Sequence, residues 1–225
     1  MTQDFTIAVF EGDGIGPEIM QPTLEILSAV CAHGGYRLHF QTCAAGAAHY
    51  AQSGESLPAA SLETARAADA ILLSAMGLPD VRYPDGTEIS PQIELRKVLN
   101  LFAGVRPVRI FPGLQTPLAL PEDRRVDFVL IRESTEGLFH TQGRGEVTQT
   151  EARETLLITK DVSEKLFAFA FDLARSRKTS GKGKGRITCV DKANVFRAFA
   201  FFRGLFDAEA RKHPDLSADH AYVDA

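Results

Sequence analysis

Four basic side chains stand where they could do chemistry. Arg96 and Arg106 lie in LRKVLNLFAGVRPVR (95–109), Arg132 ends an apolar run in IRESTEGLF (131–139), and Lys192 ends another in CVDKANVF (189–196). Guanidinium groups grip carboxylates through paired hydrogen bonds, so converging arginines suit a di- or tricarboxylate. A lysine beside such a ligand can take or return a proton. Any one of these residues alone reads more simply as a surface charge with a weak ion pair. In open α/β sheets ligands collect at the carboxyl ends of strands, which is where Arg132 and Lys192 fall.

The stretch EGDGIGPE (11–18) sets Gly12, Gly14 and Gly16 between an apolar run and a helix that opens with proline. A dinucleotide fingerprint needs G-x-G-x-x-G and an acid about 20 residues on. The spacing here is G-x-G-x-G, and the corresponding later positions are His33, Gly34 and Gly35. A tight strand-to-helix turn is the simpler reading. GKGKGR (181–186) also fails as a phosphate-binding P-loop, because neither GK is followed by Ser or Thr. It sits in RKTSGKGKGR, a basic glycine-rich connector between elements.

Positioning these residues requires alternating strands and helices. FTIAVF (5–10), YRLHFQTC (36–43), ILLSAMG (71–77), VRPVRIF (105–111), VDFVLIRE (126–133), TLLITK (155–160), ITCVDK (187–192) and HAYVDA (220–225) read as strands. Helices are expected from Pro17 to about Gly34, and over 61–70, 92–103, 161–177 with Asp161 as N-cap, and 194–212. The phenylalanines of NVFRAFAFFRGLF (194–206) wrap too much of the last helix for one buried stripe, so part of it is expected to face a partner. Strands alternating with helices give an α/β class with a largely parallel sheet.

Composition bounds the rest. The 225 residues carry 44% apolar and 24% charged side chains, enough for a packed core. A formal charge of −4 gives no general attraction to nucleic acid or anionic lipid. The basic connector could touch nucleic-acid phosphates, but no basic face interleaved with aromatics supports that. Cys31, Cys43 and Cys189 lack metal or redox spacing and fit a reducing compartment. Neither a signal peptide nor a membrane span is read, so a cytoplasmic protein is the expectation.

EGDGIGPE, LRKVLNLFAGVRP, IRESTEG and CVDKANVF, in this order, resemble the β-decarboxylating dehydrogenases: isopropylmalate, isocitrate, homoisocitrate, and tartrate or D-malate enzymes. The resemblance runs from about Phe5 to Ala225. It implies an isopropylmalate-dehydrogenase-like two-lobed α/β fold whose C-terminal part is missing. Residues 1–100 would be the first part of the cofactor-side domain, and 101–225 a central dimerisation domain. It further implies that Arg96, Arg106 and Arg132 hold substrate carboxylates, with Ser90 and Asn194 close by. Lys192 would be the catalytic proton-transfer lysine and Asp224 one ligand of Mg²⁺ or Mn²⁺. The cofactor would be NAD or NADP, near Gly12, Gly14 and Gly16 and Ser74–Gly77 at most. A homodimer is implied, with Lys192 and Asp224 reaching the partner's site.

Three departures from the family pattern stand out. Phe139 occupies the position of a family tyrosine that helps protonate the enol, and His140 is the neighbouring proton-carrying side chain that could substitute for it. The further metal aspartates and the adenine-binding loop of the family lie past Ala225, so the chain reads as a fragment or a truncated gene product. Ser90-Pro91-Gln92 resembles the S-x-N run of isocitrate enzymes with Gln for Asn, which leaves the substrate side group open.

Overall fold

A computed structural model describes residues 3–111, 113–119 and 126–224. The chain divides into two compact units, Met1–Asn100 and Leu101–Ala225.

The first unit is a parallel sheet of three strands in the order β2-β1-β3, formed by β1 (Gln3–Phe10), β2 (Tyr36–Thr42) and β3 (Ala70–Leu73). β1 is the central strand, so its end is apolar and buried: Ala8, Val9 and Phe10 are at most 1% exposed. Helix α1 (Gly16–His33) opens with Pro17 in its first turn and is closed by Gly34 and by Gly35 at φ 79°. Pro22 stands inside the helix. Two short helices follow, α2 (Ala47–Ser53) and α3 (Ala59–Ala67), before β3. Ala8, Phe10, Cys43, Ala65 and Leu95 form the core, the last from α4 (Pro91–Val98). The sequence pattern extends this helix to residue 103. It stops at Val98 because Asn100 takes φ 53°, a left-handed conformation that asparagine tolerates and that ends a helix.

In the second unit β4 (Ala103–Arg109) and β5 (Asp127–Glu133) form an antiparallel ribbon. A one-turn 3-10 helix (Leu138–Thr141) and the small antiparallel pair β6 (Glu146–Val147) and β7 (Ala152–Arg153) lead to α5 (Lys160–Thr179). TLLITK is not a strand: Leu157 makes one isolated bridge with Gly137, and the helix begins at Lys160. Its N-cap is Thr159 rather than Asp161, since the Thr159 hydroxyl accepts from the Val162 N–H at 3.4 Å. Then come β8 (Arg186–Asp191), α6 (Arg197–Ala210) and β9 (Ser217–Tyr222), with β8 and β9 parallel. Leu166, Phe167 and Phe171 of α5 pack with Phe206 of α6 and Cys189 of β8. Phe167 and Phe206 meet edge to face at 5.5 Å. Among the described residues no helix is long and apolar enough to cross a membrane.

Candidate active site

The glycine turn is a packing device. A Cβ on Gly12 would lie 1.9 Å from the Ala75 carbonyl oxygen, and one on Gly16 would lie 2.5 Å from that of Glu11. Only glycine lets α1 start this close to the segment leaving β3. The Asp13 N–H donates to the Ala75 carbonyl at 2.8 Å, and the Ser74 hydroxyl to the Gly16 carbonyl at 3.0 Å. Asp13, 3% exposed, accepts from the N–H groups of Ala47, Ala48 and Gly77, each at 2.8 Å. One carboxylate thus starts α2 and fixes the beginning of the loop after β3. This hub went unread in the sequence; its only signal is an acid between two glycines. The Asp13 N–H, the Ser74 hydroxyl and the Gly77 N–H are therefore engaged inside the protein.

Ser90 is the N-cap residue of α4, and Arg96 lies half-buried in that helix's last turn. Both belong to the first unit.

In the second unit the ribbon brings two arginines together. The register pairs Arg106 with Leu130 and Gly104 with Arg132. Side chains alternate faces along a strand, so Arg106 and Arg132 share one face as diagonal neighbours. Ala103 and Ile131 occupy the other face and pack into the core of α5 and α6. Gly104, opposite Arg132, lets the Ser134 hydroxyl pack against the strand, since a Cβ there would lie 2.7 Å from it. The acids of RESTEG are structural. Glu133 accepts from the Thr135 N–H at 2.5 Å and the Glu136 N–H at 2.8 Å, closing the turn. Glu136 accepts from the Thr159 N–H at 2.8 Å and its hydroxyl at 2.5 Å, tying the turn to the start of α5. Phe139, half-buried, and His140, exposed, sit in the 3-10 turn.

Lys192 follows β8, and Asp224 follows β9. Parallel pairing of Asp191 with Tyr222 brings those two strand ends side by side. The Lys192 ammonium donates to the Asp224 carboxylate and lies 5.8 Å from the centre of the Tyr222 ring. Behind it Asp191, whose side chain is fully buried, holds Arg203 of α6 through two hydrogen bonds of 2.7 and 2.8 Å. Asp191 also accepts from the Ala193 N–H at 2.7 Å, so it braces the turn that carries Lys192. The Arg203 guanidinium covers the other ring contact, 4.9 Å from the Tyr222 centroid. Burial works against the Asp191 charge, but the Arg203 fork and the Ala193 N–H outweigh it and hold its pKa below the usual carboxylate value. The Lys192 hydrogen bond lowers that of Asp224. Burial, then the nearby Asp191 charge, pushes the Cys189 thiol up to about 12. Asn194 lies exposed in the turn between Lys192 and α6. The Asp191–Arg203 clamp was also missed in the sequence, where an arginine inside a phenylalanine-rich helix was the available sign.

A hard divalent cation needs several oxygen ligands. Among the described residues no three metal-ligating side chains come together, and Asp224 is already held by Lys192. These residues alone do not build a metal site.

Fold and side chains define an α/β protein with parallel strand pairs, two arginines on one ribbon face and a braced lysine at a strand's carboxyl end. The profile of the isocitrate/isopropylmalate dehydrogenase family matches residues 6–225. The 3-isopropylmalate dehydrogenase of Bacillus licheniformis is 35% identical over 227 residues, covering 97% of this chain and 60% of that protein. The 3-isopropylmalate/3-methylmalate dehydrogenase of Methanocaldococcus jannaschii is 36% identical, with the same coverages. The crystal structure of isocitrate dehydrogenase from Methylococcus capsulatus superposes with a TM-score of 0.81 at 28% identity, over 98% of this chain and 61% of that one. The chain belongs to the isocitrate/isopropylmalate dehydrogenase family. It spans about 60% of the length of the curated relatives it matches.

Proposed function

We propose that this chain is the first part of a nicotinamide-dependent dehydrogenase that oxidises and decarboxylates a 2-hydroxy dicarboxylate of malate type. A 3-isopropylmalate-like acid is the first choice; isocitrate and tartrate or D-malate are the alternatives. The observation that carries this is the braced Lys192, in one unit with a ribbon that presents Arg106 and Arg132 on one face.

In this reading Arg106, Arg132 and Arg96 bind the carboxylates, and Ser90 and Asn194 make further substrate contacts. Lys192 is the proton-transfer group at the substrate hydroxyl: as the neutral amine it takes that proton and becomes the ammonium, which raises the electron density that drives hydride off the same carbon. NAD or NADP, when bound, supplies the hydride acceptor. The 2-oxo group so formed lies β to the second carboxylate and accepts the electrons of the C–C bond that breaks as CO₂ departs. Mg²⁺ or Mn²⁺ would use Asp224 together with ligands outside the described residues, and when bound would polarise the substrate carbonyl. Residues 1–100 would serve the cofactor and 101–225 dimerisation. Phe196 and Phe201, 54% and 46% exposed, offer apolar surface for a second copy. A cytoplasmic location accords with the chemistry and with the reduced cysteines.

A second reading, a catalytically inactive truncated remnant, is favoured by the lack of three metal-ligating side chains together among the described residues; Phe139, with no proton to give where the family has tyrosine, bears on the final protonation alone. This chain by itself is expected to be inactive, so one panel on the full-length protein separates them: 3-isopropylmalate, isocitrate and D-malate, each with NAD or NADP and Mn²⁺, followed by nicotinamide absorbance and by calorimetry. Reduction with one acid, abolished by Lys192→Ala at unchanged circular dichroism, is the expected result. Binding without reduction selects the second reading. Neither binding nor reduction with any acid removes both.

A further inference from the structure

The basic connector at 177–186 has no part in the site above, yet the fold gives it a place. The C-terminal turn of α5 and the connector lie against the far face of the β4–β5 ribbon. Pro107, Arg109, Asp127, Arg177, Gly181 and Lys182 line a cavity of about 490 Å³ there. That volume is in the range of small-molecule sites. Arg109 pairs in register with Asp127, and both point away from the face that carries Arg106 and Arg132. The pocket is therefore separate from the proposed substrate arginines.

Its cations come from three elements: Arg109 from β4, Arg177 from α5 and Lys182 from the connector. Arg177 is fixed in place. Its guanidinium donates to Asp127 at 2.5 Å and to the Lys182 carbonyl at 3.0 Å. In return the Lys182 N–H donates to the Arg177 carbonyl at 2.8 Å. Gly181, at φ 71°, makes the reversal that returns the connector to the pocket wall. Arg109 lies with its guanidinium 5.2 Å from the centre of the Phe111 ring. Asp127 already serves Arg177, and among the described residues no carboxylate pairs with Arg109 or Lys182. Three cationic residues and one carboxylate thus line the cavity.

We propose that this pocket binds a small phosphorylated anion through Arg109, Arg177 and Lys182. A terminal phosphate presents three acceptor oxygens, matching donors that arrive from three directions, whereas a carboxylate presents two. The cavity exceeds a lone phosphate, so the ligand carries a second phosphate or an organic body. The proposal is independent of the dehydrogenase reading.

Isothermal titration of the chain with inorganic tripolyphosphate tests it, with inorganic phosphate, citrate and a short single-stranded RNA as comparison arms. Saturable one-to-one binding of tripolyphosphate, tighter than phosphate or citrate, is expected. Arg109→Glu and Lys182→Glu should each weaken it about tenfold or more. Lys184→Glu changes an exposed lysine of the same connector that does not line the cavity, and should leave affinity within about twofold, because exposed charges interact weakly through water. Absence of saturation at millimolar tripolyphosphate overturns the proposal. So does an equal loss with Lys184→Glu, which means diffuse connector charge. Citrate binding as tightly overturns the phosphate assignment, and RNA binding with a steep salt dependence assigns the connector to nucleic acid instead.

Discussion

Replacing Asp13 with Asn tests whether one carboxylate holds the first unit's turns together. Oδ2 accepts from Ala47 and Gly77, and Oδ1 accepts from Ala48, all at 2.8 Å. Asparagine keeps one acceptor. With its oxygen in the Oδ2 place, the amide nitrogen faces the Ala48 N–H, donor against donor, and the other two bonds lose their charge assistance. Hydrogen bonds to charged groups contribute about 1.5–3 kcal/mol each, and a stranded buried donor costs about 1–3 kcal/mol. The sum expected for Asp13→Asn is about 2–4 kcal/mol, a large part of the about 5–15 kcal/mol that holds a domain folded. Urea denaturation measures the total. Amide hydrogen exchange localises it: protection at Ala47, Ala48 and Gly77 should fall by about thirtyfold to about seven-hundredfold, at about 1.4 kcal/mol per factor of ten. A stability within about 0.5 kcal/mol of the parent, or uniform loss of protection with none concentrated at these amides, would refute the role.

Arg203→Met leaves the buried Asp191 carboxylate without its partner and should cost about 3–5 kcal/mol. Adding Asp191→Ala should cost less than the sum of the two single changes, and additivity within about 0.5 kcal/mol in urea titrations counts against a coupled clamp. The folded-state pKa of Asp191 is depressed, so its contribution is present above the ordinary carboxylate value and is lost as pH falls through the folded value. Acid should therefore destabilise the parent more than an Asp191→Asn variant below about pH 4, as followed by circular dichroism. Cys189 has the opposite sense: its raised thiol pKa stabilises the fold fully below the unfolded value and is lost as pH rises toward about 12. Above about pH 9 the parent should lose up to about 1.4 kcal/mol per pH unit relative to Cys189→Ala, and parallel alkaline unfolding curves would contradict that environment. Gly12→Ala should abolish folding of the first unit, since its Cβ would strike the Ala75 carbonyl at 1.9 Å, and a native-like spectrum would show that the turn can open.

Elements built by local rules were legible. FTIAVF is a continuous apolar run and became the central parallel strand, while Pro17 and Gly34–Gly35 bracket α1 in the expected sense. The misses have a non-local cause. Helix α2 starts at Gly46, which has no side chain to cap with; its cap is Asp13, 34 residues earlier, and a Cβ on Gly46 would strike that carboxylate at 2.6 Å. TLLITK has strand-like composition but only one position with a bridging neighbour, and composition cannot supply a partner strand. The end of α4 was readable in principle, because asparagine after a helical run is a known stop, but LNLFA continues the apolar period and hid it.

The site divides along the same line. Arg106, Arg132 and Lys192 are candidates by residue type, and strand parity gives the shared face of the two arginines once the register is known. What orients Lys192 was not visible, because Asp191 and Arg203 are twelve residues apart and meet only when α6 folds back over β8. That arrangement also explains a local oddity. A charged residue in the phenylalanine helix would ordinarily weaken a core, yet here the one arginine with a buried partner stands beside Phe202, which packs on Phe167 at 4.7 Å. The helix therefore does two jobs with adjacent residues: Phe202 anchors it to α5, and Arg203 passes that anchoring, through Asp191 and the Ala193 N–H, to the turn that holds Lys192. Loosening the phenylalanine contacts should then disturb the lysine turn from a distance, and Phe202→Ala should reduce exchange protection at the Ala193 amide as well as in α5. Protection lost in α5 alone would mean that the clamp stands without the core behind it.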